Sequence, residues 1–483
     1  MNRFLKTIFH YMVMQCFLLF TMTSAFAIEL PEMGDAAGST LTLAQEQQIG
    51  AEIMKQVRAS PLYNTDAIAT DYVQHLGARL AVHSTQPDGH FEFFVINDPR
   101  VNAFALPGGY IGINAGLILV AAHEDEVASV MAHEIAHVTQ RHIARMFERS
   151  ESLTWPMMAA LLGSVLLTAA NPALGSGALA TVIASGQQDM INFTRSNEEE
   201  ADRIGMDMLA QSDYDPMAMS TFFGRMAQAN KYNESFYVPD FLRTHPVNSA
   251  RVADSASRAL QYPAVKKVDS MNFHLIKQRL QVMYAAPGQD IIGHYRAELA
   301  KLGNSQNQPL RYGYSLALAK KGQLAQSSTE LQQLITQNKH QKIYYLSLAE
   351  VYNEQQDYMR GIALLQNAMR LYPRDETLSL QIVQLYINAE QYSQAKAIMD
   401  EQIRYTPKHP LYYHYLAQAQ SKLGNPQASH MARADYYAMY DDLHSAVREL
   451  KRAQSFNKNN DYNQAKISAK LKKLEAELEY LDL

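Results

Sequence analysis

Apolar and polar positions are arranged in three different ways along the 483 residues. At the amino end, Arg3 and Lys6 precede a mostly apolar run over 11–22, which closes on Thr23-Ser24-Ala25-Phe26-Ala27. A basic start, an apolar stretch and a small-x-small ending are the order of a secretory signal peptide, with cleavage expected after Ala27. The run is shorter than the ~20 residues that span a bilayer, which argues against a retained anchor. Residues 28–270 mix two periods. The segments 91–96 and 110–115 read as strands, with Pro107-Gly108-Gly109 marking a turn between them. Residues 124–146 place Val127, Ala128, Val130 and Met131 for burial without a Pro or Gly break, and predict one helix. From about residue 270 onward, helical segments and short turns predominate.

That last region repeats. Gly322, Gln356, Glu390 and Gly424 stand 34 residues apart at turn positions, and Ala349, Val383 and Ala417 keep an apolar position at the same interval. Tyr352 with Tyr386, Tyr358 with Tyr392, and Pro373 with Pro407 share the spacing. A 34-residue period is that of tetratricopeptide helix pairs, which bury their apolar faces only by stacking and so form a curved surface. About four such units with atypical flanking helices are expected over residues 271–483. Protein recognition is the functional reading of that surface; a purely structural solenoid is the plain one.

Composition narrows the field. The 483 residues exceed one ordinary core, so two folded regions are expected. With 43 basic against 48 acidic residues and a net charge of −5, nothing indicates nucleic-acid binding. Cys16 is the single cysteine, and it lies in the segment expected to be removed. The mature chain therefore has neither a disulfide framework nor a cysteine-ligated metal. Many of the 28 tyrosines fall in the repeats.

The candidate chemistry begins at His133-Glu134-Ile135-Ala136-His137. Residues four apart share a helix face, so His133 and His137 can direct both imidazoles at one metal ion. Zinc is preferred for such a donor set; it polarises a carbonyl and lowers the pKa of water, while Glu134 accepts the water proton. A third ligand is expected from Glu198-Glu199-Glu200-Ala201-Asp202. Glu198 and Asp202 are also four apart, which suits ligation by Glu198 and orientation of a ligand imidazole by Asp202. Chemistry alone leaves the choice among Glu198, Glu199 and Glu200 open.

These two motifs together resemble the HtpX-type zinc metallopeptidases, whose third-ligand pattern is E-x-x-A-D. The resemblance covers roughly residues 40–260 and selects Glu198 as ligand and Asp202 as its companion. It implies an α+β gluzincin metalloprotease domain, mainly helical with a small sheet, followed here by an all-α tetratricopeptide solenoid. One Zn2+ per chain is implied as cofactor. The segment 102–109 looks like the family's stretch beside the substrate cleft, and Thr244-His245-Pro246 with Arg251 resembles its later active-site region, with Arg251 expected to contact substrate. Exported relatives with repeats imply work in the periplasm on misfolded or stalled outer-membrane barrel proteins, together with the barrel-assembly machinery.

Several roles stay open in the sequence. An extended substrate can pair with the strand near Asn102, with Phe104 and Leu106 offering apolar contacts and Gly108 and Gly109 allowing close passage; the other reading is an internal hairpin. His245 either supports the developing oxyanion or occupies the metal's open position in a latent enzyme. His142 is read as a bystander. The uncharged stretch 157–170 and the Ala/Gly-rich run to 184 read as a cover over the cleft or as peripheral contact with a membrane. Two functions compete: an endopeptidase whose repeats position substrates, and a chaperone or scaffold with conditional proteolysis.

Overall fold

The computed structural model describes residues 41–149, 187–232, 240–265, 268–302, 307–440, 442–456 and 461–481. The signal-peptide segment 1–27 and the whole apolar stretch 154–185, expected as a cover or membrane contact, lie outside the described residues. Helices α1 (Leu43–Ala59) and α2 (Ala67–Ala81) come first, each started by a side-chain cap: Thr42 accepts from Gln45 N–H and Asp66 from Ala69 N–H. Strands β1 (Glu92–Ile96), β2 (Ala103–Leu106) and β3 (Tyr110–Asn114) form a sheet in the order β1-β3-β2. β1 runs parallel to β3 and β2 antiparallel to it, so β2 is an edge strand. The turn expected at 107–109 is a short 3-10 segment between β2 and β3.

Helix α3 (Ala115–Val120) leads to α4 (Glu124–Thr139), which is buried on almost every side. Its acidic first turn, Glu124, Asp125 and Glu126, sits where the helix dipole favours negative charge. The helix expected over 124–146 does not run through. It stops at Thr139, and α5 (His142–Arg149) begins a new axis. The break falls at Arg141, whose φ of 52° is left-handed and whose guanidinium pairs with Glu46 at 2.6 Å. A long-range ion pair outside the local pattern thus ends the helix, which hydrophobic periodicity could not reveal. Helices α6 (Gln187–Gln211), α7 (Met217–Tyr232), α8 (Asp240–Thr244) and α9 (Ser249–Ala259) complete the region, with α6, α7 and α2 packed around α4.

The remaining helices are α10 (Met271–Met283), α11 (Ile291–Lys301), α12 (Gln308–Lys320), α13 (Leu324–Gln337), α14 (Lys342–Glu354), α15 (Tyr358–Leu371), α16 (Glu376–Asn388), α17 (Tyr392–Tyr405), α18 (Pro410–Lys422), α19 (Pro426–Ala438), α20 (Leu443–Ser455) and α21 (Asp461–Leu481). Consecutive helices from α12 onward pack as antiparallel pairs, the all-α repeat architecture that the spacing predicts. The four turn positions 34 residues apart share one backbone state, with φ of 75° at Gly322, 59° at Gln356, 59° at Glu390 and 77° at Gly424. Two of them carry a side chain in that region, so the turn geometry is imposed by stacking and not by glycine alone. Ala349, Val383 and Ala417 are all buried. The tyrosines repeat a bond as well: Gln332 donates to Tyr352 Oη at 2.7 Å and Gln366 to Tyr386 Oη at 2.9 Å.

The solenoid touches the first region at both of its ends. Near its start, the buried Arg279 of α10 donates to Asp66 at 2.7 Å, to Glu350 at 2.8 Å and to Ser347 at 3.3 Å. Asp66 is also the cap of α2, so one carboxylate starts a helix and anchors the repeats. Lys342 sits between Asp71 (3.0 Å) and Asp375 (2.8 Å). Near its far end, Tyr440 lies under the Arg58 guanidinium of α1 at 4.2 Å, and Asp442 faces Lys55 at 3.8 Å. The repeats therefore curl back onto the helix that packs over the sheet. Replacing Arg279 with Ala leaves Asp66 and Glu350 without their cation, and a loss of about 3 kcal/mol in stability is expected. Denaturant unfolding followed by circular dichroism checks this; an unchanged midpoint would contradict the anchoring role.

Candidate metal centre

The site grows out of the contact between α4 and α6. His133 and His137, one turn apart on α4, have their Nε2 atoms 2.9 Å apart. On α6, Glu198, Ala201, Asp202 and Gly205 share the face turned to α4. A Cβ at Gly205 would lie 3.2 Å from His133 N, so glycine there lets the two helix backbones approach and brings the carboxylates within reach. Glu198 Oε2 is 3.4 Å from His133 Nε2, and Glu198 Oε1 is 3.4 Å from His137 Nε2. His245, just past α8, enters the same space: its Nδ1 is 3.2 Å from His133 Nε2 and 3.0 Å from Glu198 Oε1. Its Nε2 is 3.3 Å from Glu134 Oε1.

One atom each from His133, His137, Glu198 and His245 thus gather within 4.8 Å of one another, all four residues largely screened from solvent. The donor set fits a zinc ion. Ligands about 2.0–2.1 Å from zinc in a tetrahedron lie about 3.3 Å from each other; the His133–His137 and His133–His245 contacts and those of Glu198 with the two α4 histidines fall at 2.9–3.4 Å, and the whole set lies within 4.8 Å. Imidazole nitrogens aimed at one another across such distances lack enough protons to bond pairwise, so a cation resolves the arrangement. Glu134 Oε1 is buried beside the cluster, with His245 Nε2 at 3.3 Å as its neighbour and no well-formed hydrogen bond.

Electrostatics pull the two α4 histidines apart. Burial disfavours the charged ring of His133, yet Asp202 and Glu198 more than reverse this and raise it to about 9. Burial drives His137 down to about 3, with only partial opposition from Glu198. Burial would raise Glu198, but His245, His133 and His137 hold it well below the usual carboxylate range. Asp202, likewise buried, is lowered by Arg251 and His133.

The three glutamates separate cleanly. Glu198 faces the cluster, Glu199 is exposed, and Glu200 turns to Arg145 at 2.9 Å and to His142 at 3.1 Å. Asp202 Oδ1 lies 2.8 Å from His133 Nδ1, and Arg251 clamps Asp202 through Nε at 2.5 Å and Nη2 at 2.8 Å. Arg251 also reaches Glu198 at 2.8 Å. Its buried guanidinium is therefore committed to these two carboxylates, and not presented to substrate as the sequence reading had it. Phe104 and Leu106 likewise turn inward, into a core with Ile53, Phe94 and Ile96. Alternation along a strand puts them on the face toward α1, so they hold β2 in place, and its outer backbone edge is left unpaired in the sheet among the described residues. Gly108, at φ 80°, packs against α1, where a Cβ would meet Gln47 Cα at 2.9 Å; its freedom serves that internal approach. Asn102 is buried just before β2, its C=O accepting from Asn114 N–H at 3.0 Å and its Oδ1 without a hydrogen bond.

Two contacts escaped the sequence reading. His142 Nδ1 lies 2.8 Å from His137 Nδ1, so this residue is no bystander. No local signal pointed to it, because on an unbroken helix a residue five positions past His137 faces away from that ring. The other is a link from His245 toward the edge strand. Phe241 N–H donates to Val101 C=O at 3.1 Å, and the Phe241 ring stacks on His245 with centroids 5.1 Å apart.

Such a cluster, set in a small mixed sheet with an unpaired edge strand beside the histidine helix, is the apparatus of amide hydrolysis: fold and site are those of a zinc-type metalloendopeptidase. The comparison with known proteins agrees. Peptidase family M48 matches residues 67–259, and a tetratricopeptide-repeat family matches residues 352–429. The beta-barrel assembly-enhancing protease of Escherichia coli (strain K12) is 36% identical over 450 residues, covering 92% of this chain and 91% of that protein. A putative beta-barrel assembly-enhancing protease of Vibrio cholerae is 33% identical over 448 residues, with 92% of each chain covered. A mitochondrial metalloendopeptidase of Schizosaccharomyces pombe is 31% identical over 220 residues, 44% of this chain and 60% of that one. The chain belongs to the M48 metallopeptidases and, among them, to the family of the beta-barrel assembly-enhancing proteases.

Glu198→Gln should lower bound zinc well below one per chain, because the amide carries no charge to offset the ion, whereas Glu199→Gln should leave it unchanged. Metal analysis after dialysis distinguishes the two; equal zinc in both variants would remove Glu198 from the ligand set.

Proposed function

We propose that the chain is a periplasmic zinc endopeptidase acting on outer-membrane β-barrel proteins that are misfolded or stalled in assembly. The observation that carries the chemistry is the convergence of His133, His137, Glu198 and His245 beside the buried Glu134 carboxylate. His133, His137 and Glu198 would hold one Zn2+. The ion supplies a Lewis acid for the scissile carbonyl and eases ionisation of the attacking water. Glu134 then takes the water proton as the oxygen bonds to the carbonyl carbon, and returns it to the leaving nitrogen as the C–N bond breaks. Asp202, held by Arg251, keeps the His133 ring in one tautomer and orientation. The outer edge of β2 accepts an extended substrate as an added strand, which is a main-chain interaction and so tolerant of sequence.

Barrel proteins as substrates and the barrel-assembly machinery as partner follow from kinship with the beta-barrel assembly-enhancing proteases over nearly the whole chain. The export pattern of residues 1–27 supports the compartment. The solenoid, whose consecutive helices pack without a break from α12 onward, would recruit or position these proteins, with catalysis assigned to residues 28–270 and recruitment to 271–483. Among the described residues no helix is long and apolar enough to cross a membrane, and peripheral membrane contact is left to residues 154–185. A purely binding role is disfavoured because the ligand set and its supporting carboxylates are all present.

His245 has a more specific role. With its ring inside the ligand cluster, it would compete with water for the metal and so keep the resting enzyme closed. Peptide cleavage by two variants tests both assignments. Glu134→Gln should retain zinc and lose activity by about 10²–10⁴-fold; full activity would eliminate it as the base. His245→Ala should raise the basal rate, and a fall in rate would instead assign the ring to transition-state support.

A further inference from the structure

We infer that His142 is a positioning residue for His137, forming with Glu200 and Arg145 a relay that supports this ligand differently from its neighbour His133. The inference rests on the proposed metal centre. With His137 Nε2 turned into the cluster, its proton resides on Nδ1, and the atom facing Nδ1 at 2.8 Å is His142 Nδ1. Acceptance there places the proton of a neutral His142 ring on Nε2, which donates to Glu200 Oε2 at 3.1 Å. Arg145 Nη1 donates to the same oxygen at 2.9 Å. Every donor in this chain meets an acceptor, and His142 itself is buried at 4% exposure.

The backbone is built to make the contact. On an uninterrupted helix, the residue five places after His137 would sit about 140° around the axis. The left-handed residue Arg141 ends α4 and turns the chain back, so that His142 opens α5 against the ring it supports. A non-glycine residue in that region is disfavoured. It is held by long-range anchors: its guanidinium bonds Glu46 Oε1 through Nε at 2.8 Å and also reaches the Leu41 carbonyl. The helix break, the anchor and the relay thus belong to one arrangement.

Its consequence is asymmetry. His133 rests directly on a carboxylate, Asp202, clamped by Arg251. His137 rests on a neutral imidazole, a weaker acceptor than a carboxylate, and its charge support is one residue further away. His137 is accordingly the less firmly held ligand, and the relay sets how tightly the site keeps its ion.

Zinc affinity of the full-length chain, measured by chelator competition, tests this without reference to catalysis. His142→Leu should weaken binding about 10–100-fold. His142→Asn, which restores an acceptor oxygen near the Nδ1 position, should recover affinity to within about threefold of the parent. Melting of the zinc-free Leu and Asn chains should coincide, because the relay acts through the metal ligand and not through the fold. Equal affinities for the Leu and Asn variants, whether both strong or both weak, would overturn the inference. Should the Leu variant fail to fold, Glu200→Gln takes its place: a severalfold weaker site supports the relay and an unchanged one refutes it. Full zinc stoichiometry in a His133→Ala chain would instead sink the metal-centre reading, an outcome distinct from unaltered binding in the His142 variants.

Discussion

A buried helix cannot leave charged and proton-bearing side chains unmatched, and α4 carries two imidazoles and a carboxylate into a space almost free of solvent. Around them stand Glu198 and Asp202, with Arg251 in contact with both. Three carboxylates against one guanidinium leave an excess of negative charge that a divalent cation would offset. The surrounding architecture follows from meeting this requirement. Gly205 permits the close approach that delivers Glu198, α9 delivers Arg251, and the turn at Arg141 delivers His142. His245 closes what remains of the cluster.

The parts of this arrangement differ in how openly the sequence displays them. Spacing along one helix is a local property, so His133 with His137 and Glu198 with Asp202 were legible from the i,i+4 rule. The solenoid was legible for a similar reason: its turns recur every 34 residues, and all four adopt the same left-handed backbone. Contacts across the fold were not. Nothing local indicates that Arg251 turns inward to Asp202, or that Phe104 and Leu106 spend their apolar faces on the core beneath α1. The break at Arg141 was hidden most completely, because its cause is an ion pair to Glu46, 95 positions earlier in the chain. His142 was misjudged with it, since its role exists only once the helix has broken.

The same physical economy links the two halves. Asp66 caps α2 and accepts Arg279 from the start of the repeats, while Arg58 of α1 meets both Glu92 of β1 and Tyr440 at their far end. The solenoid is therefore fixed relative to the sheet. On the proposed function, a protein held by the repeats would be presented to a defined strand, with His245 between that strand and hydrolysis. Phe241 ties the two together, bonding to the chain just before β2 and stacking on the His245 ring.

The account turns on what surrounds the metal in the resting protein. X-ray absorption at the zinc edge reads this directly in the full-length, zinc-loaded chain. Four nitrogen or oxygen neighbours at about 2.0–2.1 Å, with outer-shell scattering from three imidazole rings, are expected for His133, His137, His245 and Glu198. Scattering from only two rings would leave His245 outside the coordination sphere and contradict a closed resting site.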